Sequence, residues 1–238
     1  YRNEQGQVTG TSVELIRHLQ HELAEPGDIE LLPWARALEI AKHGTNIALF
    51  EIIRTAEREP LFKWVGPLKY HNVQLYGRED LITAHSPLLT RRLLACDYRH
   101  SAFADELIRL GFIPERNLVL TTHHGECYEM LMRGRVDVVL MNDDNFDKQR
   151  TVFAEQGLSL ISVMPVTEVK MYLAFSNDVT DTRVARWQTA LEKSYLDGTM
   201  RALYQNVYPD QMIEQLEAFA KSQPSSEQQT QQQEQTAE

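Results

Sequence analysis

Glu126-Cys127-Tyr128-Glu129-Met130-Leu131-Met132-Arg133-Gly134-Arg135-Val136-Asp137-Val138-Val139-Leu140-Met141 is the stretch that decides the fold. Glu126 to Arg133 predicts a helix, Gly134 suits the residue that closes it, and Val136 to Met141 is an apolar run of strand length. The same alternation extends to both sides. Upstream, Leu93 to Cys96 predicts a strand, Ser101 to Leu110 a helix closed by Gly111, and Leu118 to Thr121 a strand; downstream, Asp144 to Gln156 predicts a helix closed by Gly157, and Leu158 to Val163 a strand. Such βαβ units imply an α/β fold with a mostly parallel sheet, helices on both faces, and ligands beyond the carboxyl ends of the strands.

A shorter series precedes it. Thr11-Ser12-Val13-Glu14 has the form of a capping box, followed by Leu15, Ile16, Leu19 and Leu23 on one helical face, which predicts a helix over 12–24 ended by Pro26-Gly27. Ile29 to Leu32 predicts a strand, Pro33 a helix start running to Lys42 with Gly44 as its left-handed closing residue, and Ile47 to Ile53 the next strand. Two extended segments, Lys69 to Tyr76 and Lys170 to Phe175, look like crossovers between lobes across the polar break 77–87; Thr180 to Leu196 then predicts a helix broken at Asp197-Gly198-Thr199.

The 238 residues carry 24 Lys+Arg against 34 Asp+Glu, a formal charge of -10, with 42% hydrophobic residues. That composition supports a folded core of one or two domains. With no basic cluster beyond pairs such as Arg91-Arg92, the acidic balance argues against nucleic acid as a partner. No apolar stretch approaches the roughly 20 residues needed to cross a bilayer, so direct membrane insertion is not expected, and the first residues lack the apolar core of a signal peptide. Residues 222–238 hold Gln, Ser, Thr and Glu without a large apolar side chain, which predicts a disordered Gln-rich tail; its three Glu leave about -7 on the rest.

Cys96 and Cys127 form no CxxC pair. One disulfide is conceivable in an oxidising compartment, but two buried free thiols are the expectation. The chain has no G-x-S-x-G, Walker A, H-E-x-x-H or G-x-G-x-x-G motif, and no catalytic residue is nominated. Asp143 to Asp147 imitates a calcium loop but has Lys148 at its sixth position and Ala154 at its twelfth. His18, His21 and the pair His123-His124 have no third ligand nearby, so neither a metal nor a cofactor is expected. Glu57 and Glu59 flank Arg58 as a solvated ion-pair patch rather than an acid/base pair.

Five segments in order carry a family resemblance. They are Asn3 to Leu15 with its Gly6/Gly10 turn, Pro33-Trp34-Ala35-Arg36-Ala37-Leu38, Arg54-Thr55-Ala56-Glu57-Arg58, Met132 to Val139, and Leu196-Asp197-Gly198-Thr199. Together they resemble bacterial extracellular solute-binding proteins of family 3, the amino-acid-binding type that serves ABC importers. The resemblance implies a two-lobed periplasmic-binding-protein-like clamshell of type II with two crossover hinge strands, its N-terminal strand and export signal missing from this chain. It divides the chain into residues 1–72 plus 173–221 for lobe 1, 77–168 for lobe 2, and hinge strands at 73–76 and 169–172.

The ligand residues implied by the resemblance follow position by position. Arg58 would bind a solute carboxylate through its planar fork; the alternative is an exposed Arg paired with Glu57. Thr55 belongs to the same segment. Glu51 and Ile53 occupy positions of small polar residues and backbone contacts, and Glu51 either favours a cationic group or faces solvent. The loop Tyr98-Arg99-His100-Ser101 stands in the place of the glycine-containing anion cradle at a helix N-terminus, with Ser101 as N-cap or carboxylate donor and a bulkier residue where the glycine belongs. Asn142 stands where amino-acid binders place an Asp against the solute ammonium, with Asp143 one residue away. Trp34 and Tyr70 would wall the solute, although Trp34 could equally be a core residue at a helix start.

The expected function is a periplasmic solute-binding protein, a monomer, that captures a small carboxylate-bearing metabolite by hinge closure and delivers it to an ABC permease. Two alternatives are a periplasmic sensing module for a membrane partner such as a sensor kinase, and an enzyme resembling cyclohexadienyl dehydratase.

Overall fold

The computed structural model describes residues 1–82, 93–123 and 125–223. His124, the pair Arg91-Arg92, residues 83–87 of the polar break, and the tail from residue 224 lie outside the described residues.

Two 17-residue strands form the spine. β2 (Phe62–Arg78) and β6 (Leu160–Ser176) pair antiparallel from Phe62↔Ser176 to Arg78↔Leu160. At about 3.3 Å per residue each spans roughly 55 Å, enough to run through both lobes. The predicted strand 158–163 and crossover 170–175 are therefore parts of one strand. β1 (Ala48–Ile53) flanks β6, and β5 (Val138–Asn142), β3 (Ala95–Tyr98) and β4 (Leu118–Thr121) follow β2, in the order β1-β6-β2-β5-β3-β4.

The expectation of a mostly parallel sheet needs correction. Only β3–β4 and β3–β5 are parallel, while β1–β6, β2–β6 and β2–β5 are antiparallel. The reason is the spine: β2 enters the second lobe and β6 leaves it, so they run opposite to each other, and β5 runs opposite to β2. Local periodicity carries no sign of strand direction.

In the second lobe, α3 (Ala102–Arg109), α4 (Glu126–Met132) and α5 (Asp143–Glu155) cover the sheet. Its alternation divides the apolar run of β5 between two cores. Val138 and Leu140 pack with Leu107, Phe112 and Leu118, whereas Val139 and Met141 pack with Leu131, Phe153, Cys96 and Cys127. That second face brings Cys96 and Cys127 together as a disulfide with Cα atoms 5.5 Å apart, which overturns the free-thiol expectation. Cys96 belongs to β3 and Cys127 to α4; only packing of α4 on that face of β3 makes them neighbours.

The first lobe packs α1 (Thr11–Glu22), α6 (Asp181–Leu196), α7 (Thr199–Tyr204) and α8 (Asp210–Ser222) around Leu15, Leu19, Leu68, Tyr195 and Tyr204. Against the other face of the sheet, α2 (Trp34–His43) contributes Leu38 and Ala41 to a core with Ile52, Phe62 and Ala174. Three local expectations fail here. The capping box does not form, because Gly10 is the N-cap of α1 and Ser12 Oγ donates instead to Glu51 Oε1 at 2.7 Å. Residues 29–32 form no strand; Ile29 merely packs on the core. Gly44 caps α2 in an extended conformation (φ -79°), and the left-handed residue of that turn is Asn46 (φ 56°).

Candidate functional site

The lobes meet at the carbonyl of His100. From lobe 1, Arg58 Nη2 donates to His100 O at 3.0 Å and Trp34 Nε1 donates to the same oxygen at 3.1 Å. Arg58 sits in the turn after β1, where its N–H donates to Thr55 O at 3.0 Å and Nη1 donates to Ile53 O at 3.0 Å. Its guanidinium lies 5.1 Å from the Trp34 ring centroid, a cation–π distance. Burial pulls the Arg58 pKa below its ordinary value, against the opposing charges of Asp105, Tyr98 and Glu57.

Arg58 is only 7% exposed, so the alternative of an exposed Arg paired with Glu57 is wrong. Among the described residues no carboxylate reaches it within ion-pair distance; its side-chain acceptors are two backbone carbonyls. A buried cation held only by neutral acceptors carries charge that an anion would compensate.

His100 adopts φ 62°, a left-handed conformation that glycine adopts without strain. His bears the steric strain of that conformation while its carbonyl accepts from Arg58 and Trp34. Ser101 is the N-cap of α3: its Oγ accepts from Ala104 N at 2.8 Å and donates to Asp97 Oδ1 at 2.6 Å. The hydroxyl is thus committed to the cap. Asp97 is 5% exposed, and burial raises its pKa to about 7 despite the hydrogen bonds from Ser101 and the Tyr98 N–H.

Glu51 is paired within the protein itself. A left-handed bulge (φ 63°) within β1 turns it toward Lys69 Nζ, 2.8 Å away, while Lys69 also donates to Tyr208 Oη at 3.0 Å. Burial opposes ionisation of both groups. Lys69's charge and the hydrogen bonds from Lys69 and Ser12 nonetheless hold Glu51 below the usual carboxylate range, and Glu51 raises Lys69 in turn.

Asn142 and Asp143 are spent on local structure. Asn142 closes β5 opposite Val73 and caps α5 by accepting from Asn145 N at 2.9 Å, while Asp143 Oδ2 accepts from Asn72 N at 3.0 Å. Tyr70 lies on β2 opposite Lys170, whose Nζ is 5.2 Å from its ring. Trp34, Ile53, Thr55, Arg58, His100 and Ser101 therefore lie together, whereas Glu51, Tyr70, Asn142 and Asp143 have their contacts elsewhere. Lys69 and His71 went unnoticed in the sequence; a Lys and a His inside a long strand segment were the available signal.

No family model matches the chain, and no curated protein matches it in sequence. Solved structures do match. A histidine kinase sensor domain with similarity to periplasmic binding proteins superposes with a TM-score of 0.75 at 18% identity, covering 87% of this chain and 89% of that one. The arginine-, lysine-, histidine-binding protein ArtJ from Geobacillus stearothermophilus gives 0.75 at 13% identity over 87% and 89%. An ancestral amino-acid-binding protein, a precursor of cyclohexadienyl dehydratase, gives 0.69 at 15% identity over 88% and 89%. The chain has the two-lobed α/β fold of the periplasmic binding proteins.

Proposed function

We propose that the protein is a periplasmic solute-binding protein that captures a small carboxylate-bearing molecule between its lobes and presents it to a membrane permease. Residues 1–72 with 173–221 act as one jaw and 77–168 as the other, flexing at 73–76 and 169–172. The observation that carries this reading is Arg58: a buried guanidinium whose side-chain hydrogen-bond acceptors among the described residues are two backbone carbonyls. A solute carboxylate entering there replaces the His100 carbonyl as acceptor, forms charge-assisted bonds, and joins Arg58 to the N-terminal turn of α3. Closure is then favoured by contacts that exist only with solute between the jaws.

Calorimetric titration with a panel of amino acids, hydroxy acids and dicarboxylates tests it. Saturable binding lost in Arg58→Ala supports the reading; a panel with no binder, or one whose binders ignore the substitution, sinks it.

A sensing role for the same jaws is the second reading, favoured by the fold match to a kinase sensor domain. Capture of a permease or of a sensor kinase by the tagged protein in membrane extracts separates the two. Turnover is a third reading, motivated by the likeness to a dehydratase precursor; product formation from a cyclic carboxylate would support it.

A further inference from the structure

The turn that carries His100 is tied off at one atom. Asp97 Oδ1, near the end of β3, accepts from the Tyr98 N–H at 2.7 Å and from Ser101 Oγ at 2.6 Å, so a single carboxylate oxygen holds both flanks of Arg99-His100. We propose that Asp97 is a positioning residue of the Arg58–His100 contact: it fixes the 98–101 turn so that the His100 carbonyl faces Arg58 and Trp34.

Strain supplies the first observation. His100 has φ 62°, and a non-glycine residue in that region persists only where its surroundings over-determine it. The backbone alone ties the turn weakly. The Ser101 N–H reaches Tyr98 O at 3.3 Å, and the Arg99 N–H donates to Thr121 O at 3.0 Å, which holds only the side before His100. The side after it is held through Ser101, whose Oγ accepts from Ala104 N at 2.8 Å in the first turn of α3 while donating to Asp97. The carboxylate thus fixes His100 relative to two rigid elements, β3 and α3.

Burial supplies the second. Asp97 and Ser101 are both buried, and an acid in such a place costs stability because desolvation disfavours its charge, which is what drives its pKa up to about 7. An apolar side chain would remove that cost but leave the Tyr98 N–H and the Ser101 hydroxyl without the acceptor they use. What the two flanks hold out is one carbonyl that receives both Arg58 Nη2 at 3.0 Å and Trp34 Nε1 at 3.1 Å. The bearing of Asp97 on solute capture rests on the function proposed above. The contact itself does not, and it can be read with no solute present.

The Trp34 indole N–H is the probe. In proton–nitrogen correlation spectra of the whole chain at pH 7.5, its signal, assigned by its loss in Trp34→Phe, should move upfield in Asp97→Ala and exchange with solvent about tenfold faster, as expected when one hydrogen bond is lost. Asp97→Asn keeps an oxygen acceptor for both donors and should hold the signal near its wild-type position. The Trp187 indole N–H, which donates to Glu25 Oε2 at 2.9 Å, should stay in place in both variants, which separates a loosened turn from a general loss of structure. Ser101→Ala removes one of the two donors, should shift the Trp34 signal partway, and decides the matter should Asp97→Ala fail to fold. An unmoved Trp34 signal in Asp97→Ala or Ser101→Ala, equal displacement in Asp97→Asn and Asp97→Ala, or a Trp187 signal that moves as far as that of Trp34 would each overturn the proposal. The solute site stands or falls separately, on calorimetric loss of binding in Arg58→Ala.

Discussion

Arg58 Nη2 and the carbonyl oxygen of His100, 42 residues apart in the chain, form a 3.0 Å hydrogen bond that ties the two lobes together. Substituting Arg58 tests what that contact is for. Arg58→Lys keeps the charge but loses the two-pronged fork that reaches both Ile53 O and His100 O. Solute affinity should fall by about a factor of ten in Arg58→Lys and about a hundred in Arg58→Ala, measured by calorimetry on whichever solute the wild type binds.

His100 holds the left-handed backbone conformation that glycine adopts without strain. Since its contribution to the junction is its carbonyl, His100→Gly should preserve the contact and raise stability by up to about 1 kcal/mol. His100→Val should lower it by about 1 to 2 kcal/mol, because a β-branched residue resists positive φ. Urea denaturation midpoints of the two variants check the opposite signs.

The Cys96–Cys127 bridge closes a loop with a sequence separation of 31. In the chain-entropy picture such a loop stabilises by about 3 to 4 kcal/mol. Cys127→Ser, or reduction with dithiothreitol, should therefore lower the Tm by several degrees or more; an unchanged melt would show that the bridge contributes nothing.

Asp97 makes stability depend on pH. Its ordinary pKa is 3.8 and its folded value is about 7. Below 3.8 both the folded and the unfolded chain bind the proton. Between 3.8 and about 7 the folded state alone holds it, so stability falls as pH rises through that window and the loss is complete above it, at most on the order of 4 kcal/mol. Asp97→Asn should flatten this slope in urea melts recorded from pH 4 to pH 8. An equally steep decline in the variant would place its origin elsewhere.

Lys69 and Glu51 should respond unequally to single and double substitution. Lys69→Met leaves the Glu51 carboxylate without its ion-pair partner and should cost about 3 to 5 kcal/mol. Adding Glu51→Gln to it should recover most of that loss. A double-mutant cycle in urea that returned purely additive effects would dissolve the pair as an energetic unit.

Much of the architecture was legible in the chain. The helix over 126–132, the strand 118–121, the helix 181–196 and the closing glycines 111, 134 and 157 all lie within one or two residues of where periodicity and turn chemistry put them. Local signals suffice there because each element buries one face and ends at a residue tolerant of positive φ. The two long extended segments were visible as well, although their fusion into 17-residue strands was not. At the site, Arg58, Ile53, Thr55, Trp34, His100 and Ser101 were named from their segments and do gather in space. Glu51 and Asn142 were named equally and do not join them, because Lys69 and the N-cap of α5 claim their polar atoms.

The amino-acid sequence by itself determined the alternation of strand and helix and the acidic balance of charge, since these depend on composition and on neighbours within one or two turns of chain. Tertiary structure alone decided the direction of β2 against β5, the bond between Cys96 and Cys127, the pairing of Glu51 with Lys69, and the approach of His71 to Asp144. Each of those joins residues 18 to more than 60 positions apart. No local pattern encodes such meetings; they are set by how buried faces pack.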